Sequence, residues 1–212
     1  MAGRSSTSLA RFHRRVRRRV PWMQTVAAAL ILPLLTLIVR VRVRGRENVP
    51  DGGYIAIANH PSVFDSLFVA LPLRRRLRFM GKSELFTERW GGWLARLGAF
   101  PVRRGVWDTD AFDTAVAVLD RGRVMAIFPE GGVHLEKSPA RPGLGHVAHL
   151  AGATVLPLHL SGTDELSRLW LWPKVIVTVG EPFRVEKDAD PSRERCLATA
   201  QRGVDAIYAL AG

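Results

Sequence analysis

The segment Asn59-His60-Pro61-Ser62-Val63-Phe64-Asp65 sets an imidazole and a carboxylate five positions apart, directly after the apolar run Tyr54 to Ala58. A carboxylate on one ring nitrogen fixes the tautomer of a histidine and stabilises its imidazolium, so such a pair is a general base for a hydroxyl. The spacing also occurs at His159 and Asp164, and with six histidines a chance match is unsurprising. Within one continuous helix, residues five apart point about 140° away from each other, so the histidine must lie outside the helix that carries the aspartate. Pro61 supplies that break: the residue before a proline is pushed to extended conformations, while proline suits the first helical turn. His159 sits inside the strand-like Leu158-His159-Leu160 with no such break, so His60 is the stronger candidate. Taken alone, the pair reads by default as a structural His-Asp cap. Ser62 and Ser66 flank it, yet no G-x-S-x-G elbow is present and serines at helix starts usually cap. The economical chemistry is direct, with His60 deprotonating an acceptor alcohol that attacks an activated acyl carbonyl.

Three more segments carry groups suited to an anionic ligand. Phe128-Pro129-Glu130-Gly131-Gly132 follows the apolar Val124 to Phe128, and its glycines let backbone amides approach oxygens closely. Gly81-Lys82-Ser83-Glu84-Leu85 and Phe100-Pro101-Val102-Arg103-Arg104-Gly105 each place cations after an apolar stretch, where phosphate binding and ordinary surface charge compete as readings. Arg74-Arg75-Arg76 with Arg78 reads either as a patch for the phosphates of coenzyme A or an acidic carrier, or as a solvated or lipid-facing surface. No His/Cys/carboxylate cluster has ligand spacing, so no metal is expected, and no cofactor is implied. Cys196 is the only cysteine, which excludes an internal disulfide and fits a reducing compartment.

Positioning these groups requires a sheet. Strands are predicted at Val39 to Val43, Tyr54 to Ala58, Leu77 to Met80, Val124 to Phe128, Val155 to Leu160 and Val175 to Val179. Helices are predicted at Val63 to Leu71, Phe86 to Leu97, Ala111 to Leu119, Leu144 to Ala151 and Arg193 to Leu210. Strands alternating with helices imply a single α/β domain over residues 41–212, with a mostly parallel central sheet flanked by helices and ligands at the strands' carboxyl ends.

The 212 residues hold 31 Lys and Arg against 19 Asp and Glu, a formal charge of +12. Eleven of the arginines precede Glu47, the first acid, which leaves 20 basic and 19 acidic residues beyond Arg46. The basicity belongs to an arm, residues 1–40, whose stretch Trp22 to Val39 has no charge. A helix of that length covers about 27 Å, marginal for a roughly 30 Å hydrocarbon core, and Pro33 interrupts it. No small-residue cleavage site follows, so the arm is expected to be a retained hydrophobic helical anchor. It would be bent or re-entrant at Pro33, with Trp22 at the interface and arginines against anionic lipid, on the cytoplasmic face of the cell membrane. A buried core helix is the other reading of the same run. Nucleic acid is not expected, since the arm lacks interleaved aromatics and no DNA-binding motif is present.

Taken in order, the segments resemble the PlsC-type glycerolipid acyltransferases, which include 1-acylglycerol-3-phosphate acyltransferases. Asn59 to Asp65 is similar to their N-H-x4-D block, Lys82 to Leu85 to K-x-E-L, Pro101 to Gly105 to P-V-x-R-G and Phe128 to Gly131 to F-P-E-G. Val155-Leu156-Pro157-Leu158 with Ser161 to Asp164 is similar to the later V-x-P-V…G-T-D region. The resemblance covers about Val41 to Pro182. It implies acyl transfer from acyl-CoA or acyl carrier protein, as co-substrate, to a lysophospholipid hydroxyl. His60 would be the base and Asp65 its orienter. Glu130 and Gly131 would bind the acceptor, Arg104 and Lys82 would meet its phosphate, and Gly132, Asn59 and Arg103 complete the substrate-binding set. The family's arginine after E-G-x is replaced by Val133, with His134 or Arg141 as substitutes. That departure leaves glycolipid, ornithine-lipid and lysocardiolipin acceptors open, along with a non-catalytic lipid-binding adaptor and a hydrolase using the same base on water.

Overall fold

The protein is described by a computed structural model over residues 5–18, 22–62, 65–87, 89–132, 136–165 and 173–211. Two helices lead the chain, α1 (Ser5–Arg18) and α2 (Trp22–Ile38), followed by β1 (Arg40–Arg44), β2 (Tyr54–Ala58), α3 (Asp65–Leu73), β3 (Leu77–Lys82), α4 (Gly91–Arg96) and β4 (Ala99–Val102). Then come α5 (Thr109–Leu119), β5 (Val124–Ile127), α6 (Gly143–Ala151), β6 (Thr154–Ser161), β7 (Lys174–Val179), β8 (Phe183–Arg184) and α7 (Arg193–Tyr208). The sheet order is β1-β7-β6-β2-β5-β3-β4, with β8 pairing to β6. Strands β6, β2, β5, β3 and β4 are parallel, as the alternation of strand and helix requires. Strand β7 is antiparallel to β6 and parallel to β1, so that edge runs the other way.

Every residue of β2 is buried, which is the signature of a parallel strand covered on both faces. Its alternation feeds two cores. Ile55 and Ile57 meet Phe100, Met125, Leu144 and Ala200 on the face covered by α1, α5, α6 and α7. Tyr54, Ala56 and Ala58 meet Phe68, Val69, Leu73 and Leu158 on the face covered by α3. Helices α6 and α7 cross at Gly145, where a Cβ would lie 2.0 Å from the carbonyl oxygen of Cys196, so only glycine fits.

Several elements differ from the sequence expectation, among them the short β8, for which no strand is predicted. Helix α4 is half the predicted Phe86 to Leu97, because Gly91-Gly92 is a poor helix start. Strand β4 contains Pro101, which suppresses a strand reading but is tolerated on an edge, and β4 pairs only with β3. The arm divides into two unlike helices. Helix α1 packs into the core through buried Phe12 and Val16, with His13 Nδ1 2.9 Å from Thr114 Oγ1. Arg123 donates to the carbonyls of Val16 and Arg17, satisfying the end of α1. Helix α2 is apolar, contains Pro33, and exposes Leu30, Leu34 and Leu37. Its 17 residues reach about 25 Å, and no helix among the described residues is long and apolar enough to cross a membrane. The part of the expected anchor that would span a bilayer is therefore not found, and the side chain of Trp22 lies outside the described set.

Candidate active site

The C-terminal ends of four neighbouring parallel strands, in the spatial order β2, β5, β3, β4, supply the candidate groups. His60 follows β2, Phe128 to Gly132 follow β5, Lys82 ends β3, and Arg103 and Arg104 follow β4. Helix α3 is described from Asp65, the expected start at Val63 lying outside the described residues, and the Asp65 amide donates to the Ser62 carbonyl at 3.2 Å, with Pro61 and Ser62 in a bend. His60 therefore stays outside the helix.

His60 Nδ1 lies 2.8 Å from Asp65 Oδ2, and that oxygen also accepts the Ser62 amide at 2.7 Å. The second donor fixes the oxygen as an acceptor, so Nδ1 donates and Nε2 carries the lone pair. Asp65 is fully buried, whereas the imidazole keeps 17% of its side-chain exposure. The ring stacks on Phe128, with centroids 4.0 Å apart and planes at 12°. A carboxylate below and an aromatic face alongside hold the base in one orientation. His159 makes no such pair. It lies within β6 opposite Thr178, its ring edge-on to Tyr208, and Asp164 is exposed.

His60, Lys82, Arg104, Gly131, Gly132 and Arg141 line one cavity of about 310 Å³, whose apolar wall includes Phe79, Met80 and Leu144. That wall beside three cations suits an amphiphile with an anionic head. The other candidates stand behind it. Asn59 is buried and clamps β2 to β6, its amide group donating to and accepting from the Leu160 backbone at 2.8 and 2.7 Å. Glu130 is buried, its Oε1 accepting from Tyr208 Oη at 2.8 Å and from the Ser138 amide at 3.3 Å. Arg103 is held by Asp108 through Nε, Nη2 and the backbone amide at 3.2, 2.9 and 2.7 Å. That clamp shapes the turn carrying Arg104. Burial raises the Asp108 carboxyl, but the hydrogen bonds and charge of Arg103 outweigh it and hold it below the usual carboxylate value.

Gly131 has φ 75°, a conformation that favours glycine, and Arg141 lies where a Cβ would be, with Cδ and Nε at 2.5 Å. Arg141 also donates from Nε to the Glu130 carbonyl at 3.2 Å and from its amide to the Pro129 carbonyl at 2.9 Å. A cation thus reaches the glycine turn from the loop before α6. Val133 and His134 lie outside the described residues. No group of His, Cys, Asp and Glu that would hold a metal occurs among the described residues.

The family model described as Acyltransferase matches residues 40–161. The chain belongs to this acyltransferase family. The enzyme is 28% identical over 183 residues to the 1-acyl-sn-glycerol-3-phosphate acyltransferase of Bacillus subtilis, covering 84% of this chain and 92% of that protein. It is 30% identical over 138 residues to the enzyme of the same name from Streptococcus pneumoniae, covering 64% of this chain and 52% of the relative. Among solved structures, the 1-acyl-sn-glycerophosphate acyltransferase PlsC of Thermotoga maritima matches the acyltransferase with a TM-score of 0.63 at 26% identity, over 91% of this chain and 81% of that one. Sequence reading of this acyltransferase named Arg141 only as a substitute, and it missed the Phe128 stack and the Tyr208 bond. Arg141 and Tyr208 reach the turn from 11 and 78 residues away, separations that no local motif registers.

Proposed function

We propose that the acyltransferase moves a fatty acyl group from a thioester of coenzyme A or acyl carrier protein to the free hydroxyl of a lysophospholipid, 1-acylglycerol-3-phosphate foremost, giving phosphatidate. The supporting observation is the cavity in which His60 meets Lys82, Arg104 and Arg141. The acceptor phosphate sits among the three cations and its hydroxyl donates to His60 Nε2. As that proton moves to Nε2, the oxygen attacks the thioester carbonyl, with Asp65 stabilising the imidazolium. Collapse of the tetrahedral intermediate breaks the C–S bond, and the departing thiolate takes the proton back from His60. The donor is a co-substrate and no separate cofactor enters. The same names borne by the two curated relatives support this acceptor, and Arg141 favours a phosphate over an uncharged sugar head. We place the enzyme on the cytoplasmic face of the cell membrane, with α2 lying in one leaflet and the arginines of α1 supporting it.

Replacing His60 by Ala should lower thioester consumption with lysophosphatidate by about 10²- to 10⁴-fold, the range for a positioned general base. Turnover within a few-fold of wild type would overturn His60 as the base.

A further inference from the structure

A second cavity, of about 710 Å³, opens at the other end of the sheet. Arg74, Arg75, Arg76, Arg78 and Arg123 line it, and no Asp or Glu among the described residues does. Arg78 and Val124 stand at the starts of β3 and β5, the ends opposite Lys82 and Phe128, so this is not the His60 cavity. Several of the guanidinium groups are held by neutral acceptors. Arg76 donates to Thr25 Oγ1 at 2.7 Å, Arg75 to the carbonyls of Gly52 and Gly122, and Arg123 to those of Val16 and Arg17. Such bonds orient the groups without cancelling their charge; Arg74, Arg75 and Arg76 are exposed, while Arg78 is buried beside them. Burial, then the charges of Arg123 and Arg76, push Arg78 down to about 10.

The rest of the lining is Ala70, Gly122, Val124 and α2, which turns Gln24, Thr25, Ala28 and Ala29 toward the arginines. Its exposed large apolar residues Val26, Leu30, Ile31, Leu34, Leu37 and Ile38 fall within about 140° of one another around the helix, centred on the side away from the cavity. An interfacial helix buries such a stripe about 5–10 Å into the boundary between headgroups and chains, and a helix is about 10 Å thick. Groups behind α2 then lie at the depth of the lipid phosphates.

We propose that the arginine cavity behind α2 is a non-catalytic site for the phosphate of an anionic phospholipid, occupied when the apolar stripe of α2 enters the leaflet. The assignment rests on the interfacial placement of α2 and not on the acyl-transfer chemistry. Its alanine wall gives the glycerol and first methylenes an apolar surface, and its volume exceeds that of a bare phosphate.

The test uses the full chain with vesicles of phosphatidylglycerol in phosphatidylcholine, and with monomeric dihexanoyl phosphatidylglycerol. Arg74→Gln/Arg76→Gln should weaken both interactions by about 30-fold, twice the usual logarithmic contribution of one arginine near an anionic surface. Ala29→Gln, which fills the cavity at constant charge, should weaken the monomeric lipid by about tenfold. Monomeric-lipid binding unchanged by Ala29→Gln, or an equal loss from Arg14→Gln/Arg18→Gln on α1, would overturn the site while leaving the interfacial reading intact. Binding of monomeric lipid without vesicle binding would keep the site and sink the interfacial reading. Inorganic phosphate binding as tightly as the short-chain lipid would mark a free-phosphate site and overturn the lipid assignment. Acyl transfer to lysolipid in uncharged detergent should be unchanged in Arg74→Gln/Arg76→Gln; a raised KM for acyl-CoA would assign the arginines to the donor and overturn the proposal.

Discussion

At the scale of single residues, the site divides its labour between groups that face the cavity and groups that hold them. Arg141 faces it, beside Gly131. Arg141→Gln should therefore raise the KM for a phosphate-bearing acceptor by about tenfold or more, with less effect on one whose head is uncharged, as steady-state kinetics on the two lipids would show. Equal effects on both would remove Arg141 from phosphate recognition. Histidines outside the site carry a pH prediction for stability. Burial lowers His13 and His146 below their ordinary value of 6.5, so both are neutral in the fold. Below pH 6.5 the unfolded chain binds protons that the fold refuses, so stability is full above that pH and is lost as pH falls through 6.5 toward the lowered values. Thermal melts should show the midpoint dropping between pH 7 and about 5, with a smaller drop in His13→Asn, which keeps a polar partner for Thr114. A flat profile over that window would contradict the burial of both rings.

Among elements, the α6–α7 crossing is the tightest contact on the helical face. Gly145→Ala must part the helices or bend one, since the neighbour is a backbone carbonyl, and should cost about 1–3 kcal/mol or more by denaturant unfolding. The strands that carry the site were legible for reasons visible in their residues. Tyr54 to Ala58 and Val124 to Phe128 are apolar runs bounded by turn residues, as buried parallel strands must be, and Pro61 marked where helix geometry had to break. What escaped depends on partners distant in sequence. Pro101 hides β4 because only its place at the sheet edge makes a proline tolerable there. Helix α1 read as part of a basic arm because its buried residues, Phe12, His13 and Val16, are only three among many arginines. Glu130 also bonds Tyr208, 78 residues away, which no local motif registers, whereas the partner of Arg103, Asp108, stands only five residues on, just past the motif's end.

For the whole molecule, the two leading helices have separable consequences. Deleting residues 1–18 removes Phe12 and Val16 from the core and should lower stability by about 3 kcal/mol or more, judged by the burial of two large apolar side chains. Circular dichroism melts of that truncated chain would show it; an unchanged midpoint would mean that α1 contributes only charge. Helix α2, by contrast, is tied to the fold at its far end by β1, and β1 is hydrogen-bonded to β7, Arg40 opposite Lys174 and Arg44 opposite Thr178. That pairing has a meaning in time. About 130 residues separate the end of β1 from the start of β7, which at roughly 5–20 residues per second is about 7–26 s of synthesis. For the later part of that interval the apolar helix is clear of the ribosome while β7, the strand that pairs β1 into the sheet, does not yet exist. A surface able to accept α2 during those seconds competes with no pairing of β1 to β7, so the order in which the chain is made suits the interfacial placement proposed for α2.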